Sequence, residues 1–168
     1  MDELRISGIE PESIVDGPGI RYVIFVQGCP HHCEGCHNPQ THDFNGGRIE
    51  KFDEIIKGIK KNPLISGVTF SGGEPFCQSN ALSKLADEIK AMGLNILAYS
   101  GFTFEELMEL GEKNPSVIEL LKKTDILIDG KFVLAQKSLM LKFRGSKNQR
   151  ILDVRKSLEQ KTAVIADI

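Results

Sequence analysis

Three of the four cysteines in this chain, Cys29, Cys33 and Cys36, fall within residues 27–38 at the spacing C-x3-C-x2-C. An extended strand cannot gather thiols so closely spaced around one centre. A loop can, and Gly28, Pro30 and Gly35 supply the tight reversals it needs. Thiolates are soft ligands suited to iron–sulfur clusters, zinc or cuprous ions. Three protein ligands leave a position open, which is the mark of a metal site that does chemistry rather than brace a fold. Structural zinc is the competing reading. It normally takes four ligands, often as two separated C-x2-C pairs, and here the fourth would come from His31, His32, His37, His42 or the distant Cys77. A disulfide is disfavoured, because such bridges are rare in reducing compartments and the first residues lack the layout of a secretion signal.

The rest of the chain must scaffold that loop. Its 168 residues, 40% hydrophobic and 26% charged, predict one soluble domain over residues 1–168 that needs no covalent staples. A net charge of -2 gives no basic field, so no nucleic-acid partner is expected. Apolar runs such as residues 22–26 are far too short to cross a bilayer, and a cytoplasmic location without a membrane partner is the expectation.

Residues 4–15 carry a weak pattern, read as a short strand and turn. The apolar, β-branched run 20–27 reads as a strand buried on both faces and ends at the cysteine loop. Phe52, Ile55, Ile56 and Ile59 recur at helical spacing before Pro63. Residues 68–70 form a second strand running into Ser71-Gly72-Gly73-Glu74-Pro75. A helix follows from about Ala81, with Ser79 or Asn80 as its cap. Residues 94–99 make a third strand closing on Ser100-Gly101. Thr103 to Glu106 is a capping box, and Asn114-Pro115 opens a further helix. Residues 125–129 are a fourth strand, leading into Gly130-Lys131. Residues 139–143 fit no single state, and 151–154 and 163–165 are possible strands.

This alternation predicts an α/β fold with parallel strands and helical crossovers. A closed eight-unit barrel needs roughly 200 or more residues. A partial, open barrel of about half that size is therefore expected. Active sites of such sheets gather at the carboxyl ends of the strands. The cysteine loop, the Gly-Gly-Glu stretch, Ser100-Gly101 and Asp129-Gly130-Lys131 would then share one rim. Cys77 reads as a small packed hydrophobe, and His31 and His32 as residues that cap or solvate the loop. Arg144 and Arg150 are either surface charge or grips for a carboxylate or a partner.

The cysteine triplet after a first strand, with Gly-Gly-Glu after a second, resembles the radical S-adenosylmethionine superfamily. The resemblance implies a [4Fe-4S] cluster held by Cys29, Cys33 and Cys36, with S-adenosyl-L-methionine on the remaining iron. Gly72, Gly73 and Glu74 look like the segment that receives the methionine amino group. Ser100, Asp129 and His37 are further candidates for holding the cosubstrate, and Asp16 and Lys131 for catalysis. Residues 15–21 (VDGPGIR) and Cys36-His37-Asn38 are similar to the glycyl-radical-enzyme activases. Asp129-Gly130-Lys131-Phe132 and Arg144-Gly145-Ser146 through Asn148-Gln149 resemble the branch whose target is the anaerobic ribonucleoside-triphosphate reductase. That implies reductive cleavage of S-adenosylmethionine, a glycyl radical placed on the reductase, and reduced flavodoxin or ferredoxin as electron donor. The alternatives are an activase of another glycyl-radical enzyme and a noncatalytic zinc module for protein interaction. Two features depart from relatives. Gly35 stands where an aromatic residue often meets adenine, leaving His37 or Phe102 to do so, and residues 98–101 lack the aspartate of formate-lyase-type activases.

Overall fold

The computed structural model describes residues 2–168. In chain order the elements are β1 (Glu3–Ser13), β2 (Arg21–Val26), β3 (Arg48–Lys51), α1 (Phe52–Lys60), β4 (Gly67–Gly72), α2 (Ser79–Ala91), β5 (Asn95–Tyr99), α3 (Phe104–Lys113), α4 (Pro115–Lys123), β6 (Ile126–Asp129), β7 (Arg150–Asp153) and α5 (Val154–Gln160). All seven strands form one sheet in the order β3-β1-β2-β4-β5-β6-β7. Its centre, β2-β4-β5-β6, is parallel as expected, so the loops leaving those four strands do share one end. The flanks are antiparallel. The reason is connection length and content. A parallel return needs a dozen or more residues, usually helical, whereas β1 reaches β2 through a short turn. No α-helix covers the return from β6 to β7 among the described residues.

The fold departs from the sequence expectation where local pattern is broken. Residues 3–13 form one long strand rather than a short one, because irregularities between Ile6 and Gly8 and between Glu10 and Ser13 disturb its alternation. Helix α2 begins at Ser79 after Gln78, with no side-chain cap. The preceding turn of 3-10 helix, Pro75–Gln78, already coils the chain into it, and the Ser79 hydroxyl meets Ser116 instead. Residues 163–165 make only an isolated bridge, Ile165 to Leu152. The Thr103 capping box and the Asn114 cap are both present.

The two faces of the sheet differ. Tyr22, Ile24, Val26, Val68, Phe70, Ile96, Ala98 and Leu127 join the buried cluster with Leu82, Leu85, Ile89, Leu107 and Leu120 of the helices. The alternate positions point the other way. There Val23, Leu97 and Ile128 are buried under irregular chain, and Ser71 and Tyr99 line a cavity. The turn at residues 14–20 lies on this second face and is pinned there by Arg21. The Arg21 side chain is fully buried. It donates from Nε to Thr69 Oγ1 at 2.7 Å, from Nη1 to the Pro18 carbonyl at 3.1 Å and from Nη2 to the Val68 carbonyl at 2.9 Å. Thr69 Oγ1 in turn donates to the Asp16 carbonyl at 2.8 Å. Burial lowers the guanidinium pKa to about 10, which still leaves it charged at neutral pH. Replacing Arg21 by Met removes a buried fork and leaves its acceptors without donors. Urea denaturation of Arg21→Met should show a loss of about 3 kcal/mol, the range for unmade buried bonds to a charged group.

Candidate active site

The cysteine loop is closed at its base by backbone bonds. Gly28 N–H donates to the Thr41 carbonyl at 2.7 Å and Cys29 N–H to the His42 carbonyl at 3.2 Å. Gln27 Nε2 reaches back to the Gln40 and Asp43 carbonyls at 3.0 and 2.7 Å. Within this frame Cys29, Cys33 and Cys36, all free thiols, line one cavity of about 560 Å³. That volume is typical of small-molecule sites, roughly 300–1,000 Å³. Ser71, Gly72, Gly73 and Ser100 come to it from the ends of β4 and β5, as do Asp16 from the turn before β2 and His37 from the loop itself.

The thiols suit a cluster. Asn38 N–H donates to Cys36 Sγ at 3.4 Å. Burial pushes the Cys29 thiol above its ordinary range, while backbone hydrogen bonds from His31 and His32 act in the opposite direction. Such donors favour thiolate ligands. Among the described residues no three His, Cys, Asp or Glu side chains close on a single ion position. None of His31, His32, His37, His42 or Cys77 therefore completes a preformed four-ligand zinc site. Thiolates that each bind a different iron of one cluster need no such convergence. Cys77 is exposed and lies off the cavity, so it is not the packed hydrophobe expected from sequence.

Glu74 holds the rim together. Its carboxylate is fully buried. It accepts from His31 Nε2 at 2.6 Å, Ser100 Oγ at 2.9 and 3.0 Å, Gly101 N–H at 2.8 Å and Phe76 N–H at 3.1 Å. One side chain thus ties the cysteine loop, its own loop and the loop after β5. His31 does not solvate the loop; it is the loop's anchor, with its ring edge-on to Phe102 at 4.6 Å. The glycines ahead of Glu74 are needed for close approach. A Cβ on Gly72, which sits at φ +92°, would meet the Val26 nitrogen at 2.6 Å, and one on Gly73 would overlap the Gly28 carbonyl. Glu74 N–H also donates to that carbonyl at 2.8 Å. What faces the cavity from this stretch is therefore the glycine backbone, not the Glu74 carboxylate.

Asp129 and Lys131 are not brought to the cysteines. They border a separate hollow. Asp129 is buried and accepts from Arg150 at 3.0 and 2.5 Å and from Phe104 N–H, the first residue of α3, at 2.7 Å. Arg150 also binds Glu105 at 2.6 Å, so it grips carboxylates of its own chain. That bond from Arg150 holds the Glu105 carboxyl below its ordinary range. Asp16 does reach the cavity, half-buried, with Oδ2 accepting from Ser13 Oγ at 2.6 Å. Beside it Tyr99 donates to the Phe143 carbonyl at 2.7 Å, and burial, then the Asp16 charge, push its phenol up. Tyr99 carried no sequence signal beyond its place at a strand end. Phe132, 5.1 Å from His37, is a second aromatic wall of the cavity. Phe102 is packed on His31 instead and is not part of the lining.

Residues 15–152 match the 4Fe-4S single cluster domain family. The anaerobic ribonucleoside-triphosphate reductase-activating protein of Enterobacteria phage T4 is 36% identical over 85% of this chain and 90% of its own length. That of Escherichia coli K12 is 34% identical over 86% of this chain and 96% of its own length. The pyruvate formate-lyase-activating enzyme of Clostridium pasteurianum is 38% identical over 77% of this chain, but over only 53% of its own length. Fold, cysteine loop and these matches define an iron–sulfur enzyme of the radical S-adenosylmethionine activase class. Within that class, the chain belongs to the family of anaerobic ribonucleoside-triphosphate reductase-activating proteins.

In Glu74→Gln the amide would turn a donor toward groups that themselves donate. Chemical denaturation should show a loss of about 3 kcal/mol, the scale of several bonds to one buried charge. Iron retained through gel filtration should fall in parallel, because the cysteine loop loses its anchor.

Proposed function

We propose that this protein activates an anaerobic ribonucleoside-triphosphate reductase by installing a glycyl radical on it. The observation that carries this is the cavity in which three free thiols of one loop face a glycine backbone strip, in a chain so similar over its length to activating proteins of that reductase. Cys29, Cys33 and Cys36 would hold a [4Fe-4S] cluster and leave one iron without a protein ligand, for S-adenosylmethionine. When bound, the cluster would supply the electron for reductive cleavage of S-adenosylmethionine, the chemistry by which a hydrogen atom would be removed from the target glycine. Reduced flavodoxin or ferredoxin supplies that electron.

The chain's own groups bind and orient. The Gly72-Gly73 backbone receives the methionine end, and Glu74 with Ser100 fixes that strip relative to the cysteines. His37 and Phe132 offer ring faces for the adenine where Gly35 offers none. Asp16 and Tyr99 stand on the side of the cavity from which a substrate chain enters. Asp129 acts at a distance, by capping α3 and holding Arg150, and Lys131 borders the neighbouring hollow. The sheet is in this reading a partial, open (β/α) barrel, whose uncovered side admits a polypeptide. No helix of the described residues is long and apolar enough to cross a membrane.

Anaerobic reconstitution with iron, sulfide and a reductant should yield a coloured protein that converts S-adenosylmethionine to equal amounts of methionine and 5′-deoxyadenosine. Cys33→Ala should abolish this. Adding the reductase should produce a glycine-centred electron-spin signal. A colourless, zinc-loaded protein indifferent to S-adenosylmethionine would refute the proposal. Turnover with a signal only on a different glycyl-radical enzyme would redirect its target.

A further inference from the structure

The two late sequence motifs, residues 129–132 and 144–149, build one stretch of wall. Gln149 Oε1 accepts from the Gly145 and Ser146 N–H groups at 2.8 and 3.1 Å, and its Nε2 donates to the Gly130 carbonyl at 3.1 Å. Asn148 Nδ2 donates to the Lys131 carbonyl at 2.8 Å, while its Oδ1 accepts from Ser146 Oγ at 2.6 Å. The buried Ser146 hydroxyl accepts in turn from Val133 N–H at 3.2 Å. These side chains are occupied in joining one motif to the other.

Arg144 is not. Of its several N–H donors, Nη1 alone is engaged, at 2.9 Å to the Gln149 carbonyl. Its Nε is buried and has no acceptor. No carboxylate among the described residues pairs with it. It lines the same cavity as the three cysteines. Two separate segments bring bare apolar side chains to that cavity's edge. Val15 is 70% exposed, and its neighbour Ile14 75%; Leu139 is 89% exposed, and its neighbour Met140 93%.

We propose that this edge seats an extended, glycine-bearing segment of the partner protein. Arg144 would donate to its main-chain carbonyl oxygens, while Val15, Leu139 and Met140 pack along it. The proposal rests on the function given above and names how the target is held. A glycine has no side chain to read, so recognition must fall on the backbone, and a guanidinium fork is the side chain best shaped to meet planar oxygen acceptors. A small, charged cosubstrate has no use for an exposed apolar collar, whereas exposed apolar patches are the mark of protein contact.

The test is a pair of anaerobic titrations of the reconstituted protein, one with the purified reductase and one with S-adenosylmethionine. Arg144→Gln should raise Kd for the reductase about tenfold or more, the equivalent of one well-made contact. Arg144→Lys, with charge but no fork, should recover only part of that loss. The double variant Leu139→Asp/Met140→Asp alters only exposed side chains, so folding is not at issue, and it should weaken reductase binding similarly. Kd for S-adenosylmethionine should stay within about threefold throughout, too small a change for a lost direct contact. Unchanged reductase affinity in either variant overturns the proposal. So does a loss in Arg144→Gln that falls on S-adenosylmethionine instead, which would assign the guanidinium to the cosubstrate. A parent protein that binds neither titrant would instead refute the activase reading itself.

Discussion

A buried carboxylate with no lysine or arginine beside it is expensive unless hydrogen bonds replace its hydration. Glu74 solves this by drawing donors from three different loops, and the solution sets the geometry of the site. Two of its donors are backbone N–H groups, which cannot be supplied unless residues 74–76 and 100–101 are in place. A third is His31, between two of the cysteines. The cysteine loop is thereby positioned against the glycine strip by desolvation physics, before any cluster binds. A rim fixed in this way matters for chemistry, since misplacement by an ångström or so is costly in catalysis.

The sheet makes such a site possible by having two different faces. One face is covered by helices through regular apolar packing. The other is covered by chain with little regular structure, and a cavity survives there because turns and loops cannot fill space as side-chain ridges do. Arg21 shows the cost. To hold the 14–20 turn over this face the protein buries a whole guanidinium and satisfies it with two carbonyls and a hydroxyl. The Asp-Gly-Pro-Gly-x-Arg stretch thus includes one residue that reaches the cavity, Asp16, and one that keeps it there, Arg21.

Much of this was legible in the sequence where physics is local. The parallel centre followed from alternating β-branched runs and helical stripes, and the Thr103 and Asn114 caps from short-range bonding rules. Cys29, Cys33, Cys36, Gly72, Gly73, Ser100, His37 and Asp16 all line the cavity, and each lies in a motif or strand-end loop that stands out in the sequence. What could not be read depended on contacts distant in the chain. The Glu74–His31 bond spans 43 positions and leaves no periodic trace. Asp129 looked like a rim carboxylate, yet its charge is taken up by Arg150 and an α3 N–H group. Strand β1 was underestimated because its irregularities conceal the period-two signal on which strand prediction rests.

Radical chemistry needs a wall that excludes water without being so rigid that a polypeptide cannot enter, and irregular chain is the natural material. Its difficulty is that every backbone N–H and C=O it buries must find a partner without help from a helix or sheet. Ser146, Asn148 and Gln149 meet that demand by using amide and hydroxyl groups as surrogate backbone. This links the two late motifs: the first offers the Gly130 and Lys131 carbonyls, which the Gln149 and Asn148 amides of the second satisfy. Arg144 is an exception to the clasp's logic: Nη1 meets the Gln149 carbonyl, and the buried Nε has no acceptor within the clasp.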